Sequence, residues 1–395
     1  MRRPFYERIV PLGIPLAWLQ LTAERKRFAA AVAGITVAAT MMLFLMGLNT
    51  ALYKQALAPF YKLRADICVV SPQYEYIGIP RSIPMSALWR ARALPEVAGA
   101  YPLWVSPLPL KNPENKTVRD LFVMACEPHE PVFADSRVAA QQSKLAPGNT
   151  ALMDSLAHPA FGRFAELLAQ AGENAAVRTE LNDSAVDIVG LCEIGTTFIA
   201  DGNLVTSREA FLRAFPCPPD RAMLGLIQLQ PGADPQTVAD KLSTLLAPSA
   251  RALPAAELIG QEKAYWSDRT PIGYVITASM LVALFVGAII VFQILYTDVS
   301  DHLPEYATLK SIGFSDGYFV RLVLQESLIL SVFGFAAGAL LAAGLYRVTW
   351  EMAALPVEME PANLATVFAL TLGMCLVAGA MATRKLRHAN PADIV

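Results

Sequence analysis

The chain has 395 residues, 54% hydrophobic and 17% charged, with a mean hydropathy of +0.40 and a formal net charge of −2. That balance is too apolar for an ordinary soluble protein yet leaves enough charge for one large water-exposed domain. A pI near 6.1 and the absence of a basic block exclude a phosphate-tracking nucleic-acid surface.

Residues 1–27 form a cytoplasmic interfacial segment in this reading. Leu16, Trp18, Leu19 and Leu21 stand beside Glu24, Arg25, Lys26 and Arg27, which predicts an interfacial helix with Trp18 at headgroup depth and the cations toward anionic membrane lipid. A helix crossing the hydrocarbon core needs roughly 20 predominantly apolar residues, and only a helix satisfies its own backbone there. Four segments qualify: 28–48, 272–296, 322–346 and 364–383. The first lies too far in, and is too long, for a cleaved signal peptide, so a retained anchor is expected.

Between the first two spans lies a segment of 49–271, large enough for one big fold or two subdomains. Asp66-Ile-Cys-Val-Val70, Val186-Asp-Ile-Val-Gly-Leu191 and Leu224-Gly-Leu-Ile-Gln-Leu229 are strand-like, whereas Pro84 to Ala93 and Pro235 to Leu246 read as helices opened by proline or polar caps. An α+β domain is expected. Asp201-Gly202-Asn203, between Phe198-Ile199 and Leu204-Val205, is turn chemistry and predicts a hairpin or tight loop rather than a ligand site. Cys68, Cys126, Cys192 and Cys217 fall here, with Cys375 in the fourth span; their irregular spacing fits either disulfides or buried free thiols.

The connection 297–321 holds Asp301 and Pro304 as a helix start, Glu305 in its first turn, Lys310 near its end and Gly313 as its stop. Tyr306, Leu309 and Ile312 recur at helical spacing, so this short helix offers an apolar face for docking. The third span carries the membrane segments' one carboxylate, Glu326, about one turn from its cytoplasmic end; it reads as an interfacial or packing-satisfied acid, or as a transmitter of motion. Gly334 and Gly338 form a GxxxG that lets helices pack closely, either within the bundle or across a dimer. A short outer loop, 347–363, and a tail, 384–395, complete the chain.

Cytoplasmic flanks carry the excess of Lys and Arg. Arg2, Arg3, Arg8, Arg25, Lys26 and Arg27 precede the first span, and Arg384, Lys385 and Arg387 follow the last, so both termini are expected in the cytoplasm and 49–271 outside it. The fold class expected is an integral membrane α-helical protein with four transmembrane helices and a large α+β extracytoplasmic domain between helices 1 and 2. With few ionisable groups at membrane depth, ion coupling has little support, and the energy must come from elsewhere. No G-x-x-x-x-G-K-[ST], His-Glu-x-x-His or G-x-S-x-G occurs, and His129, His158, His302 and His388 are scattered. A non-catalytic subunit without cofactor or metal is expected; Cys126, Glu127 and His129 form only half a metal cluster.

The run from His302 to Gly313, the stretch Gln325-Glu326-Ser327-Leu328-Ile329-Leu330 with Gly334 and Gly338, and Asn390-Pro391-Ala392-Asp393 resemble FtsX/MacB-type ABC transporter permeases. Pro15 to Thr22, Ala200 to Ser207, Thr270 to Gly273 and Gln293 to Asp298 are similar to the DevC permeases of the heterocyst glycolipid exporter type; the stretch Glu114 to Glu180 departs most. The resemblance implies a homodimer in the bacterial inner membrane. It implies a separate cytoplasmic ABC ATPase subunit docked at Glu305, Leu309, Lys310 and Gly313, a periplasmic membrane-fusion adaptor and a TolC-like outer-membrane duct. Mechanotransmission, in which ATP drives the outer domains to push cargo such as a glycolipid, would be the mode of action. The alternatives are a transmembrane signal transmitter controlling a periplasmic enzyme, or a membrane-anchored ligand receptor.

Overall fold

The computed structural model describes residues 16–172, 176–195, 200, 202–302, 308–309, 312–353 and 357–383. The chain divides into two units, Met1–Ala51 with Ile272–Val395, and Leu52–Pro271.

The second unit is sheet-rich. Its strands are β1 (Ile67–Val70), β2 (Ile83–Pro84), β3 (Val97–Lys111), β4 (Val118–Cys126), β5 (Thr150–Asp154), β6 (Val177–Leu181), β7 (Ser184–Cys192), β8 (Asn203–Ser207), β9 (Arg221–Ala222), β10 (Leu224–Leu229) and β11 (Arg251–Pro254). Nine of them form one sheet in the order β11-β1-β10-β3-β4-β8-β5-β7-β6, while β2 and β9 pair separately.

The first four strands of that order make a split β-α-β arrangement. β1 leads through the helix Met85–Arg92 to β3, and β10 leads through the helix Pro235–Leu246 to β11. β10 runs antiparallel to both β1 and β3, and β11 antiparallel to β1. Both helices pack on one face through Ala87, Leu88, Ala91, Val238, Ala239 and Leu242. The second begins where the sequence says it should: Asp234 accepts from the Thr237 N–H at 2.8 Å, and Pro235 occupies the first turn.

Between β3 and β10 the chain inserts a second body. The far half of β3 pairs with β4, β4 with β8, β8 with β5, β5 with β7 and β7 with β6; β6 then returns to β3 at Leu110↔Leu181. The six strands close on themselves, with β6 joined to β3 at two residue pairs. Fifteen-residue β3 serves both bodies, pairing with β10 over Val97–Leu103 and with β4 over Trp104–Lys111. Large buried side chains of this body include Trp104, Phe122, Met124, Leu152, Ile188 and Phe211, with Trp104 in register with Ala125 and so on the opposite face of the sheet from Phe122 and Met124.

The predicted turn at 201–203 falls partly outside the described residues, which exclude 196–199 and 201. Asn203 itself is fully buried and begins β8. Its Nδ2 donates to Asp154 Oδ2 at 2.8 Å, and the Gly195 N–H reaches the same oxygen at 2.9 Å, so the side chain holds strand ends together from inside the ring. All five cysteines are free thiols. Burial pushes Cys68 and Cys126 up to about 12, which keeps both protonated and inert.

Among the described residues, four helices, lying largely in the other unit, are long and apolar enough to cross a membrane: Arg25–Lys62, Gly273–Asp301, Gly317–Met352 and Pro361–Ala382. Three of them outrun the apolar segments read from sequence, because helix continues wherever neighbouring turns pack, whereas hydropathy marks only the oil-soluble part. The first helix continues to Lys62, and its Leu57 and Phe60 sit in the core of the sheet-rich unit. The opening helix runs over Leu16–Ala23. Trp18 stacks on Phe333 with ring centroids 5.6 Å apart, and Ala17 and Leu21 are buried with Val323 and Leu330. Aromatic stacking on Phe333 holds Trp18 against the third long helix, with the ring still 38% exposed.

Candidate functional site

The residues singled out for function lie on the third long helix and on the connector before it. Gly334 and Gly338 face the first long helix of the same chain. A methyl at Gly334 would collide with Ile35, and one at Gly338 would lie 2.8 Å from Ala39 Cβ and 3.1 Å from the Thr36 carbonyl oxygen. The GxxxG therefore brings two backbones of one protomer together. On the facing helix, Thr36 and Thr40 repeat the same four-residue step. Thr36 Oγ1 donates to the Gly334 carbonyl at 3.3 Å and Thr40 Oγ1 to the Gly338 carbonyl at 3.2 Å, while Thr40 also bonds back to the Thr36 carbonyl at 2.7 Å. Further along this seam the Tyr346 hydroxyl donates to the Leu43 carbonyl.

Similar close approaches tie in the remaining helices. A methyl on Gly34 would reach Ile290 at 2.5 Å, one on Gly287 would reach Ala38 at 2.6 Å, and one on Gly379 would collide with Ser327. Of this set, only Gly334 and Gly338 announce themselves as a motif. The matching Thr36 and Thr40 carried the same four-residue period and were the available signal for their partner face.

Glu326 lies ten residues beyond Asp316, the start of its helix, or about 15 Å along the axis. It is fully buried. Exposure to headgroup water, one reading of its place near the end of the span, does not occur.

The connector is described at 308–309 and from 312. Glu305 and Lys310, two of the four residues assigned to docking, lie outside the described residues, as do Pro304 and Tyr306. Leu309 and Gly313 are visible, and they form a helix stop. Gly313 has φ +106°, the Ile312 N–H bonds the Thr308 carbonyl at 3.3 Å, and the Phe314 N–H bonds the Leu309 carbonyl at 3.2 Å. That six-to-one bond around a left-handed glycine is a Schellman ending, completed by its usual apolar contact pair, here Leu309 and Phe314, both packed on the helix cluster. The expected single apolar face splits as a result: Leu309 turns inward, while Ile312 is 70% exposed. Close to this end of the bundle, Arg27 joins Asp301 at 2.5 Å and Glu24 at 2.9 Å. All three side chains are over a third exposed, so the pairs fix geometry more than they stabilise.

One further group in the sheet-rich unit escaped sequence reasoning. Glu262, on the helix Ala255–Ala264, is fully buried. Its Oε1 accepts from the Tyr74 hydroxyl and, at 2.8 Å, from the Ile77 N–H, while Oε2 meets no donor among the described residues. Burial outweighs these bonds and pushes its carboxyl up to about 7; burial, then the nearby Glu262 charge, drives Tyr74 upward as well. The helix runs directly into a π-helical turn, Tyr265–Arg269, where Tyr265 stacks on Tyr76 at 4.3 Å. Nothing in the local sequence marks Glu262, because its partners come from a loop nearly two hundred positions earlier.

Residues 277–391 match the family described as FtsX-like permease C-terminal. No curated protein matches the chain. Among solved structures, the chain is similar to the periplasmic region of MacB from Actinobacillus actinomycetemcomitans, at 9% identity over 49% of this chain and 89% of that one, with a TM-score of 0.35. It is also similar to the extracellular domain of the noncanonic ABC-type transporter YknZ from Gram-positive bacteria, at 8% identity, 48% and 98% coverage and a TM-score of 0.34. A domain of a putative permease protein from Porphyromonas gingivalis matches at 15% identity, 50% and 92% coverage and a TM-score of 0.30.

Proposed function

We propose that this chain, a membrane protein with an FtsX-like permease region at 277–391, is the permease subunit of an ATP-driven ABC export complex working by mechanotransmission, in the manner of the DevC permeases. The observation that carries the reading is that region, set on four apolar helices and accompanied by a separate sheet-rich unit. The sequence contains no phosphate-cradling P-loop, so a cytoplasmic ABC ATPase subunit supplies the energy. It docks on the connector, with Glu305, Leu309, Lys310 and Gly313 in the contact. The Schellman ending at Gly313 gives that contact a fixed exit angle into the third helix, and Arg27 with Asp301 braces the same end.

The chain works as a homodimer in the bacterial inner membrane. Arg25, Lys26 and Arg27 before the first span support a cytoplasmic N-terminal side. Leu52–Pro271 then stands in the periplasm and drives a membrane-fusion adaptor joined to a TolC-like duct. The stroke passes through the closely packed seam of the first and third helices, and the cargo is a glycolipid or another amphiphile. The subunit itself catalyses nothing.

Affinity purification of the full chain in mild detergent, with bound proteins and lipids identified together, tests this. Recovery of an ABC ATPase and a fusion adaptor is the expected result. The double charge reversal Glu305→Lys with Lys310→Glu should lose the ATPase while the chain still reaches the membrane. Recovery of a cell-wall hydrolase in place of the adaptor would transfer the subunit to the signal-transmitter class. Sidedness has its own check: Asn115→Cys lies on an exposed loop, unlike buried Asn203, and should react with an impermeant thiol reagent from outside the inner membrane.

A further inference from the structure

The sheet-rich unit carries an open cleft of about 460 Å³ between the end of β1, the loop that follows it, β9 and the chain after the helix Pro235–Leu246. Its lining is polar and contains Arg81, Arg221, Ser71, Ser82, Gln73 and Ser249, with prolines at the remaining positions and no acidic residue. Clefts of this size ordinarily hold small molecules and are mostly apolar. This one is the reverse, and its only charges are two guanidinium groups.

The two arginines are held differently. Arg221 donates Nε to Ser82 Oγ at 2.7 Å and Nη2 to the Ser82 carbonyl at 2.9 Å, which fixes the plane of its guanidinium and leaves Nη1 without a bond to any described residue. Arg81 makes no hydrogen bond or ion pair with a described residue. The nearby hydroxyls are already acting as acceptors: Ser82 Oγ from Arg221, Ser71 Oγ from the Gln73 N–H at 3.3 Å, and Ser249 Oγ from Arg90 at 3.2 Å. Ser249 Oγ also donates to the Leu246 carbonyl at 2.7 Å, so the donors left to the cleft are chiefly the two guanidinium groups. Two guanidinium groups in a cleft whose lining holds no carboxylate suit an oxyanion, with Nη1 of Arg221 and the whole of Arg81 left to bind it.

We infer that this cleft is a binding site for a phosphate-bearing polar group, with Arg221 as the fixed donor and Arg81 as the arm that closes on it. The inference stands independently of the export reading, since it concerns the sheet-rich unit alone. A phosphate can arrive on a small solute or on the headgroup of an amphiphile, and the two sources are separable.

The full chain, reconstituted in nanodiscs of phosphatidylcholine, is titrated with glycerol 3-phosphate, and in a second arm with vesicles of phosphatidylcholine containing phosphatidylglycerol. Binding of glycerol 3-phosphate tighter than about 1 mM is expected, with no binding of glycerol. Saturation by the free phosphate with no response to the vesicles identifies a solute site; competition between the two identifies a headgroup site; both support the inference. Arg81→Ala should weaken binding at least about tenfold, the worth of one charge-assisted hydrogen bond, with an unchanged unfolding midpoint because the side chain holds nothing else. Arg221→Lys, which keeps the charge but loses the fork, should weaken it as well. Absence of measurable glycerol 3-phosphate binding to the parent chain, or equal affinity in Arg81→Ala, would overturn the inference whatever becomes of the proposed export function.

Discussion

The two units of this chain solve the same packing problem with opposite residues. In the sheet-rich unit the largest fully buried side chains are Trp104, Phe122, Phe161 and Phe211. Among the long helices, contact is made at Gly34, Gly287, Gly334, Gly338 and Gly379, where a single methyl would already meet a neighbour. Water explains the difference. Large apolar side chains leaving water drive the first core, whereas helices in lipid gain nothing from hiding a leucine and must gain from backbone proximity and polar contacts across the seam.

The comparison is broken most forcefully by truncation. Phe122→Ala should cost the sheet-rich unit about 4 kcal/mol, seen as a fall in its denaturant midpoint by pulse proteolysis of the full chain. A cost below about 1 kcal/mol would mean that Phe122 is not buried as described.

Next comes pH, which separates a water-facing core from a lipid-facing one. Glu262 holds its proton to about pH 7 when folded, against an ordinary carboxyl value of 4.5. The folded state thus binds more protons than the unfolded one between those values, so the stability of this unit should fall as pH rises from 4.5 to 7 and then level off. The size is about 3 kcal/mol. Glu262→Gln retains an acceptor for Tyr74 and the Ile77 N–H and should flatten the slope over that window. An unchanged slope in that variant would assign it to another group.

Overpacking the seam is the corresponding test of the helical unit. Gly334→Leu should cost about 2 kcal/mol or more by forcing the first and third helices apart, read as a lowered thermal midpoint in detergent. Gly344, on the same helix with nothing near its missing Cβ, is the control, and Gly344→Ala should be neutral or slightly stabilising. Equal damage at both positions would remove the seam from the account. The smallest effect belongs to Thr40→Val, which deletes the hydroxyl shared between the Gly338 and Thr36 carbonyls at nearly constant volume and should cost about 0.6 kcal/mol.

Much of the helical unit was legible in advance because its signals are local. The third span announces its length, its GxxxG and its acid within one stretch, and Gly313 predicts a helix stop that the +106° backbone makes. The strands at 67–70 and 224–229 and the helix Pro235–Leu246 were equally readable from alternation and capping. The face used by Gly334 and Gly338 was not, since the same motif serves a fold within one chain or a pairing between two. Nor was the partner of Trp18, since Phe333, on which it stacks, lies over three hundred positions away.

Sequence alone settled which stretches are oil-soluble, the start of the helix Pro235–Leu246, the helix stop at Gly313, and that no nucleotide loop is present, because each depends on residues within a few turns of one another. Tertiary structure decided that β6 returns to β3 and closes a ring, that Gly334 meets Ile35, that Glu262 is buried beneath Tyr74, and that Arg81 and Arg221 share one cleft. Those pairings join positions tens to hundreds of residues apart. Their free energy comes from shape and burial at the meeting point, which no local pattern encodes.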